Sequence, residues 1–317
     1  MKKERGSRVV IIGAGLVGST FAYSLMMNGI ASEIIMLDVN EARLKGEVMD
    51  LNHGLSFVKP VMVRAGTYED CLDADVIVIT AGANQKPGES RLDLLTRNAA
   101  IFKSILDQIN TVGTEAILLV ASNPVDIMTY VTYKLSGFSS HRVIGSGTVL
   151  DSARFRYLIS AHCKVDPSNV HAYIIGEHGD SEVPVWSLAN IAGLRFNEYC
   201  PVCGGNCGEF PKDQIYQEVK NAAAQIIQGK GATYYAIGLA LVQIVESILR
   251  DEYSVLTVST LLTGEYGIND LYLSLPCIVS RHGIEKQVRL DLSPEELAGL
   301  KHSAATLQEF KAGLKIE

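Results

Sequence analysis

The sequence is short of positive charge, of long apolar runs and of any regular cysteine pattern, and each shortage removes a class of function. Its 28 lysines and arginines stand against 35 aspartates and glutamates, for a net charge of −7. Nucleic acid and acidic membranes call for the opposite balance, so neither is expected as a partner. Apolar runs such as those at 76–80 and 116–121 fall far short of the roughly 20 residues that span a bilayer. Residues 1–7 are charged and hold no apolar stretch of the signal-peptide kind, so the expected location is cytoplasmic. The six cysteines form no disulfide framework. Three of them, Cys200, Cys203 and Cys207, have a spacing that suits thiolate ligands on zinc. A structural zinc site wants four ligands and no fourth lies close by, so no metal is expected. What remains is an ordinary globular composition, 47% hydrophobic and 20% charged. The chain is long enough for one large or two medium domains with a substantial core.

The first half carries a phosphate-binding signature in full context. A β-branched run at 8–12 reads as a buried parallel strand and leads into Gly13-Ala14-Gly15-Leu16-Val17-Gly18, then a helical stretch through residue 27. Gly13 allows a tight turn and Gly15 lets backbone amides approach a pyrophosphate. Gly18 lets the helix lie close to the strand, with its N-terminus aimed at the phosphates. A second strand at 33–37 ends at Asp38, placed to receive the adenosine ribose hydroxyls. That carboxylate would repel a 2′-phosphate, which favours NAD over NADP.

Further strands are expected at 61–65, 75–80, 116–121 and 142–144, with helices between, the βαβ alternation of a doubly wound sheet. Ligands gather at the carboxyl ends of such strands, where Gly82, Asn123 and Ser146 lie. Between Gly82 and Asp93 runs a glycine- and proline-containing loop without apolar periodicity, a candidate lid that carries Gln85 and ends near Arg91. From the loop alone those two side chains read as solvated polarity.

The second half is organised around His178, which sits between Gly176 and Gly179 at the end of a strand expected at 171–175. Asp151 is expected to cap the next helix, three residues from Arg154 and on its face. Arg156 lies about 200° round that helix from Arg154, so the two arginines cannot serve one site. A long helix is expected from 214 to 250, interrupted by Gly229-Lys230-Gly231 just before Thr233, then strands at 254–262 and 277–279. A capping box at Ser293-Pro294-Glu295-Glu296 opens a last helix with an apolar stripe at Leu297, Leu300, Ala304, Leu307 and Leu314.

Taken together, the glycine motif with Asp38, the lid, Ser122-Asn123-Pro124, the helix at 150–156, the segment 176–180 and the stretch 229–233 resemble the L-lactate dehydrogenase family, in its bacterial branch. The resemblance implies a Rossmann-type doubly wound parallel sheet at 1–147 that binds NAD, followed by a mixed α+β substrate domain at 148–317. It implies reversible hydride transfer between NADH and pyruvate. His178 would be the proton donor, oriented by Asp151. Arg154 would clamp the substrate carboxylate, with Arg91 and Asn123 polarising the carbonyl. Thr233 and Asp126 would join the substrate pocket. Cofactor contacts would extend to Val17, Arg43, Tyr68 and Ala83. Ser104, Ala121, Ser122 and Ile237 would complete them. Gln85 occupies the lid position at which malate dehydrogenases carry arginine, so a second substrate carboxylate would find no partner. A malate or branched 2-hydroxyacid dehydrogenase is the alternative. An idle NAD-binding protein would be expected to lack His178, Asp151 or Arg154. Finally, Arg156 and His171 match the positions at which bacterial members bind fructose 1,6-bisphosphate between subunits, which implies an allosterically activated homotetramer. A surface salt bridge is the plainer reading of Arg156.

Overall fold

The computed structural model describes residues 6–83, 91–196, 198–199 and 211–314. The apolar runs of the first half form β1 (Arg8–Ile12), β2 (Glu33–Leu37), β3 (Met62–Ala65), β4 (Val76–Ile79), β5 (Ile117–Val120) and β6 (Val143–Gly145). All six are parallel, in the spatial order β6-β5-β4-β1-β2-β3. The crossovers carry α1 (Leu16–Asn28), α2 (Glu41–His53), α3 (Arg91–Val112) and α4 (Val125–Ser136). Every residue of β4 and β5 is buried, as expected for strands covered on both faces. Alternate residues of β1 feed two cores: Val9 and Ile11 meet α1 on one face, while Val10 and Ile12 meet Phe102 and Leu106 of α3 on the other. Strand order reverses between β1 and β4, which opens a crevice at their carboxyl ends.

The second half supplies α5 (Val149–Cys163), β7 (Val170–His171), β8 (Ile174–Ile175), β9 (Val183–Pro184), β10 (Asn190–Ile191) and β11 (Leu194–Arg195). These are followed by α6 (Lys212–Lys230), α7 (Tyr235–Arg250), β12 (Ser254–Thr263), β13 (Asn269–Ser280), β14 (Gly283–Gln287) and α8 (Pro294–Ala312). A third core, built on Phe155, Ile159, Ile174 and Ile215, lies beneath this half.

Three expectations change here. The strand expected at 171–175 is two short ones, β7 pairing with β10 and β8 with β9 in separate small sheets. The helix expected at 214–250 is two helices, because the chain turns left-handed at Gly231 (φ +88°). The strand expected at 277–279 is the end of the longer β13. Periodicity also gives no sign of where the last strands pair. β12, β13 and β14 form an antiparallel meander that joins the parallel sheet through Ser259 against Gly145, making one nine-stranded sheet. The capping box forms as expected, with Ser293 Oγ accepting from the Glu296 amide at 3.2 Å. The Glu296 carboxylate also receives the Ser187 amide (2.8 Å) and hydroxyl (2.6 Å), which pins α8 to the loop after β9.

Candidate active site

The crevice at the strand switch is a cleft of about 950 Å³, lined by Gly13, Asp38, Arg43, Tyr68, Gly82 and Ser104 among others. Its floor depends on glycine. Gly13 has φ +112°, and a Cβ there would stand 2.7 Å from the Ala81 nitrogen. A Cβ on Gly18 would stand 1.9 Å from the Gly13 carbonyl, so α1 can lie this close to β1 only without a side chain. Gly15 differs: nothing lies within 4 Å of the place a Cβ would take. That open face, beside the first amides of α1, is where a pyrophosphate fits. Asp38 stands at the end of β2 and accepts from the Ala14 amide at 2.6 Å and the Asn40 amide at 2.8 Å. These residues fit a dinucleotide with free ribose hydroxyls.

The other expected cofactor residues are not in the lining of this cleft and fall into three groups. Ser122, Ser146 and Ala121 bind the strand ends together: Ser122 Oγ donates to the Ala81 carbonyl at 2.6 Å, and the Ser146 amide to the Val120 carbonyl at 2.8 Å. Val17 on α1 and Ile237 on α7 are half-buried and packed against the core on that face of the sheet. Ala83, beyond Gly82, is bonded to Asn98 of α3.

On the substrate side, four elements converge on His178. After β8 the chain turns at Gly176 (φ +89°), whose amide and carbonyl bond with Ser274 of β13. The backbone N–H of His178 donates to Asp126 Oδ2 at 2.8 Å, and Ser259 Oγ donates to Asp126 Oδ1 at 2.6 Å. Asp126 was expected against the substrate. Instead it is 2% exposed, with both oxygens turned inward onto His178's backbone and β12. The imidazole Nδ1 lies 2.5 Å from Asp151 Oδ2, and Arg154 donates to Asp151 Oδ1 at 2.8 Å.

Asp151 is therefore not a cap. Thr148 precedes the first turn of α5, and Asp151, 2% exposed, holds one cationic partner on each oxygen. Its negative charge is the main reason the His178 pKa is raised to about 9, burial opposing. Burial alone would lift the Asp151 carboxyl, but His178 and Arg154 outweigh it and hold it low. A protonated imidazole aimed past a buried carboxylate, with a guanidinium beside it, is an acid and an anion clamp in one cluster.

Residues 7–145 match the lactate/malate dehydrogenase NAD binding domain, and residues 148–315 the lactate/malate dehydrogenase alpha/beta C-terminal domain. The chain belongs to the lactate/malate dehydrogenase family. It is 55% identical to the L-lactate dehydrogenase of Acetivibrio thermocellus, over 98% of each chain. It is 54% identical to L-lactate dehydrogenase 1 of Clostridium acetobutylicum, over 96% of this chain and 98% of that one. Among solved structures, the minor L-lactate dehydrogenase of Enterococcus mundtii in its ligands-bound form superposes with a TM-score of 0.95 at 42% identity. It covers 98% of this chain and 99% of that one. The family establishes an NAD-dependent oxidoreductase, in keeping with the cradle.

Gln85 lies outside the described residues, as do Cys200, Cys203 and Cys207. Arg91 is the first residue of α3, its side chain outside the described part. Asn123 is exposed between β5 and α4, and Thr233 is half-buried between α6 and α7. Arg156 is half-buried on the face of α5 away from Arg154. Its Nε has no hydrogen-bond partner among the described residues, and burial lowers its pKa. His171 is exposed on β7.

Two functional-looking residues escaped the sequence reading. Glu182 is 5% exposed just past His178; its Oε1 has no hydrogen-bond partner among the described residues, and Tyr216 of α6 donates to its carbonyl. Burial first, then the charge of Asp151, raises its carboxyl to about 8. A glutamate in a loop gives no sequence signal of that burial. Asn98 is 1% exposed in the middle of α3, where the helical period marks only a core position.

Proposed function

We propose that this protein is an NAD-dependent L-lactate dehydrogenase that reduces pyruvate to (S)-lactate and catalyses the reverse reaction. The observation that carries the reading is the buried Asp151 carboxylate shared between Arg154 (2.8 Å) and the His178 imidazole (2.5 Å). The nicotinamide of NADH supplies the hydride. His178 delivers its proton to the developing alkoxide, and Asp151 holds the ring in place and charged until then. Arg154 pairs the substrate carboxylate bidentately. Arg91 and Asn123 stabilise the carbonyl oxygen as charge grows on it. Gln85 leaves a second carboxylate without a partner, so pyruvate is preferred to oxaloacetate. In this reading residues 1–147 are the cofactor domain and 148–317 the catalytic domain, with Asp126 of the first half holding the His178 amide of the second. Loss of NADH absorbance with pyruvate, then with oxaloacetate and longer 2-oxo acids, tests it: faster turnover of oxaloacetate would overturn it.

The same reading includes a cytoplasmic homotetramer activated by fructose 1,6-bisphosphate. An exposed apolar stripe over α1 and α7, with Leu16, Tyr23, Met27, Tyr235 and Leu239, supports self-association. The unpartnered Arg156 Nε, on the helix that also carries Arg154, supports a phosphate site with His171 that could bias the placement of the clamp. Arg156→Gln should leave basal turnover intact and abolish any gain in apparent pyruvate affinity. Wild-type saturation curves that coincide with and without effector would rule the site out.

A further inference from the structure

Asn98 interrupts an apolar stripe. Leu95, Phe102, Ile105 and Ile109 of α3 are buried in the core, and Asn98 stands among them at helical spacing. A buried amide is unfavourable unless its hydrogen bonds are made, and here those of the Asn98 side chain among the described residues are made outside α3. Its Oδ1 accepts from the Ala83 amide at 2.8 Å. Its Nδ2 donates to the Asn123 carbonyl at 3.2 Å and, more weakly, to the Ala83 carbonyl at 3.4 Å. Ala83 follows Gly82, which lines the cofactor cleft beyond β4, and Asn123 follows β5. A second bond joins the same two turns, from Ser122 Oγ to the Ala81 carbonyl at 2.6 Å.

The turns after β4 and β5 are thus stitched together twice, and Asn98 is the stitch next to Asn123. We infer that Asn98 is a positioning residue that fixes the Asn123 backbone relative to the wall of the cofactor cleft, so that the Asn123 side chain meets the substrate carbonyl oxygen. This rests on the role proposed above for Asn123. A residue of the plain core would bond to whatever lay nearest; among the described residues the Asn98 side chain bonds only to the two turns that border cofactor and substrate.

The test uses Asn98→Asp, which keeps the acceptor for the Ala83 amide and loses both donations. Asn98→Leu, which suits the apolar stripe and loses all three bonds, is the second variant. The fall expected in kcat/KM for pyruvate is about tenfold to a hundredfold, less than for removing a transition-state donor outright. NADH affinity should change less than threefold and Tm by a few degrees. The deciding measurement is the double variant with Asn123→Ala. If Asn98 acts through Asn123, Asn98→Asp adds nothing on that background. Additive losses, unchanged kcat/KM with a lowered Tm, or failure of both variants to fold would overturn the inference and assign Asn98 to the core. A wild-type enzyme that does not turn over pyruvate would instead sink the proposed function.

Discussion

The cofactor cradle and the acid–base cluster are built on opposite principles. The cradle is backbone: two glycines too close to their neighbours for a Cβ, a third opening onto the cleft, and one carboxylate anchored by main-chain amides. It comes from a single stretch of sequence, β1 to β2. The cluster is side chains: Asp126, Asp151, Arg154, His178 and Ser259, delivered by α4, α5, the turn after β8, and β12. Its working property is a proton held against burial by a neighbouring charge. A shape tolerates no added atom, whereas a charge network tolerates isosteres but no change of charge. The two regions should therefore fail in different measurements.

The largest separation is expected for His178→Gln. Removing the acid should lower kcat for pyruvate by about 10²–10⁴-fold, while NADH titrated by fluorescence binds as in the wild type. A parallel loss of NADH affinity would break the comparison. Asp151→Asn comes next and acts through pH. Reduction needs imidazolium, so the wild-type rate holds until the pH rises through about 9. Without the carboxylate the fall should begin near the ordinary imidazole value of about 6.5, a loss of roughly two orders of magnitude at about pH 8.5. The stabilising effect of the His178–Asp151 pair should likewise be complete below about 6.5 and be lost as the pH rises through about 9. Coincident rate profiles for the two proteins would detach Asp151 from the acid.

Gly18→Ala should do the reverse, forcing α1 away from the Gly13 carbonyl. Overpacking of about 1–3 kcal/mol should weaken NADH binding roughly five- to hundredfold while the pH profile at saturating NADH stays put. A shifted profile would show that the two regions are coupled. The smallest effect is expected from Ser259→Ala, which removes the 2.6 Å bond to Asp126 behind the His178 amide. A loss of about 1 kcal/mol, roughly fivefold in kcat, would show how far from the imidazole the cluster extends.

The same contrast governs what could be read in advance. The cradle was legible because turn, close approach and ribose acid follow one another within β1-α1-β2. His178 was singled out by its glycine setting and Asp151 and Arg154 by helical spacing, while their chemistry was legible only through the family resemblance. Spacing alone did not give their mutual contact, which only the family resemblance implied for His178 and Asp151: by position Asp151 reads as a helix cap, since spacing cannot tell an outward carboxylate from one turned into the fold. Asp126, Asn98 and Glu182 gave weaker signals still, because polar residues at buried positions acquire meaning only from partners far away in sequence. The attachment of β12 to β6 was hidden for a related reason. Alternation shows that a strand exists and leaves its neighbour open.

That attachment sets a limit on dissection. β6 is an outer strand of the parallel set and meets β12 on its free side at one pair, Gly145 against Ser259, with the Thr148 hydroxyl donating to the Ile174 carbonyl at 2.5 Å just beyond it. A fragment cut at residue 147 would keep every part of the cradle and lose that neighbour. Buried Val143 and Ile144 would then lie on an exposed edge of the sheet. Such an edge is a template for other chains, so the isolated nucleotide half should be sticky and prone to stacking edge to edge.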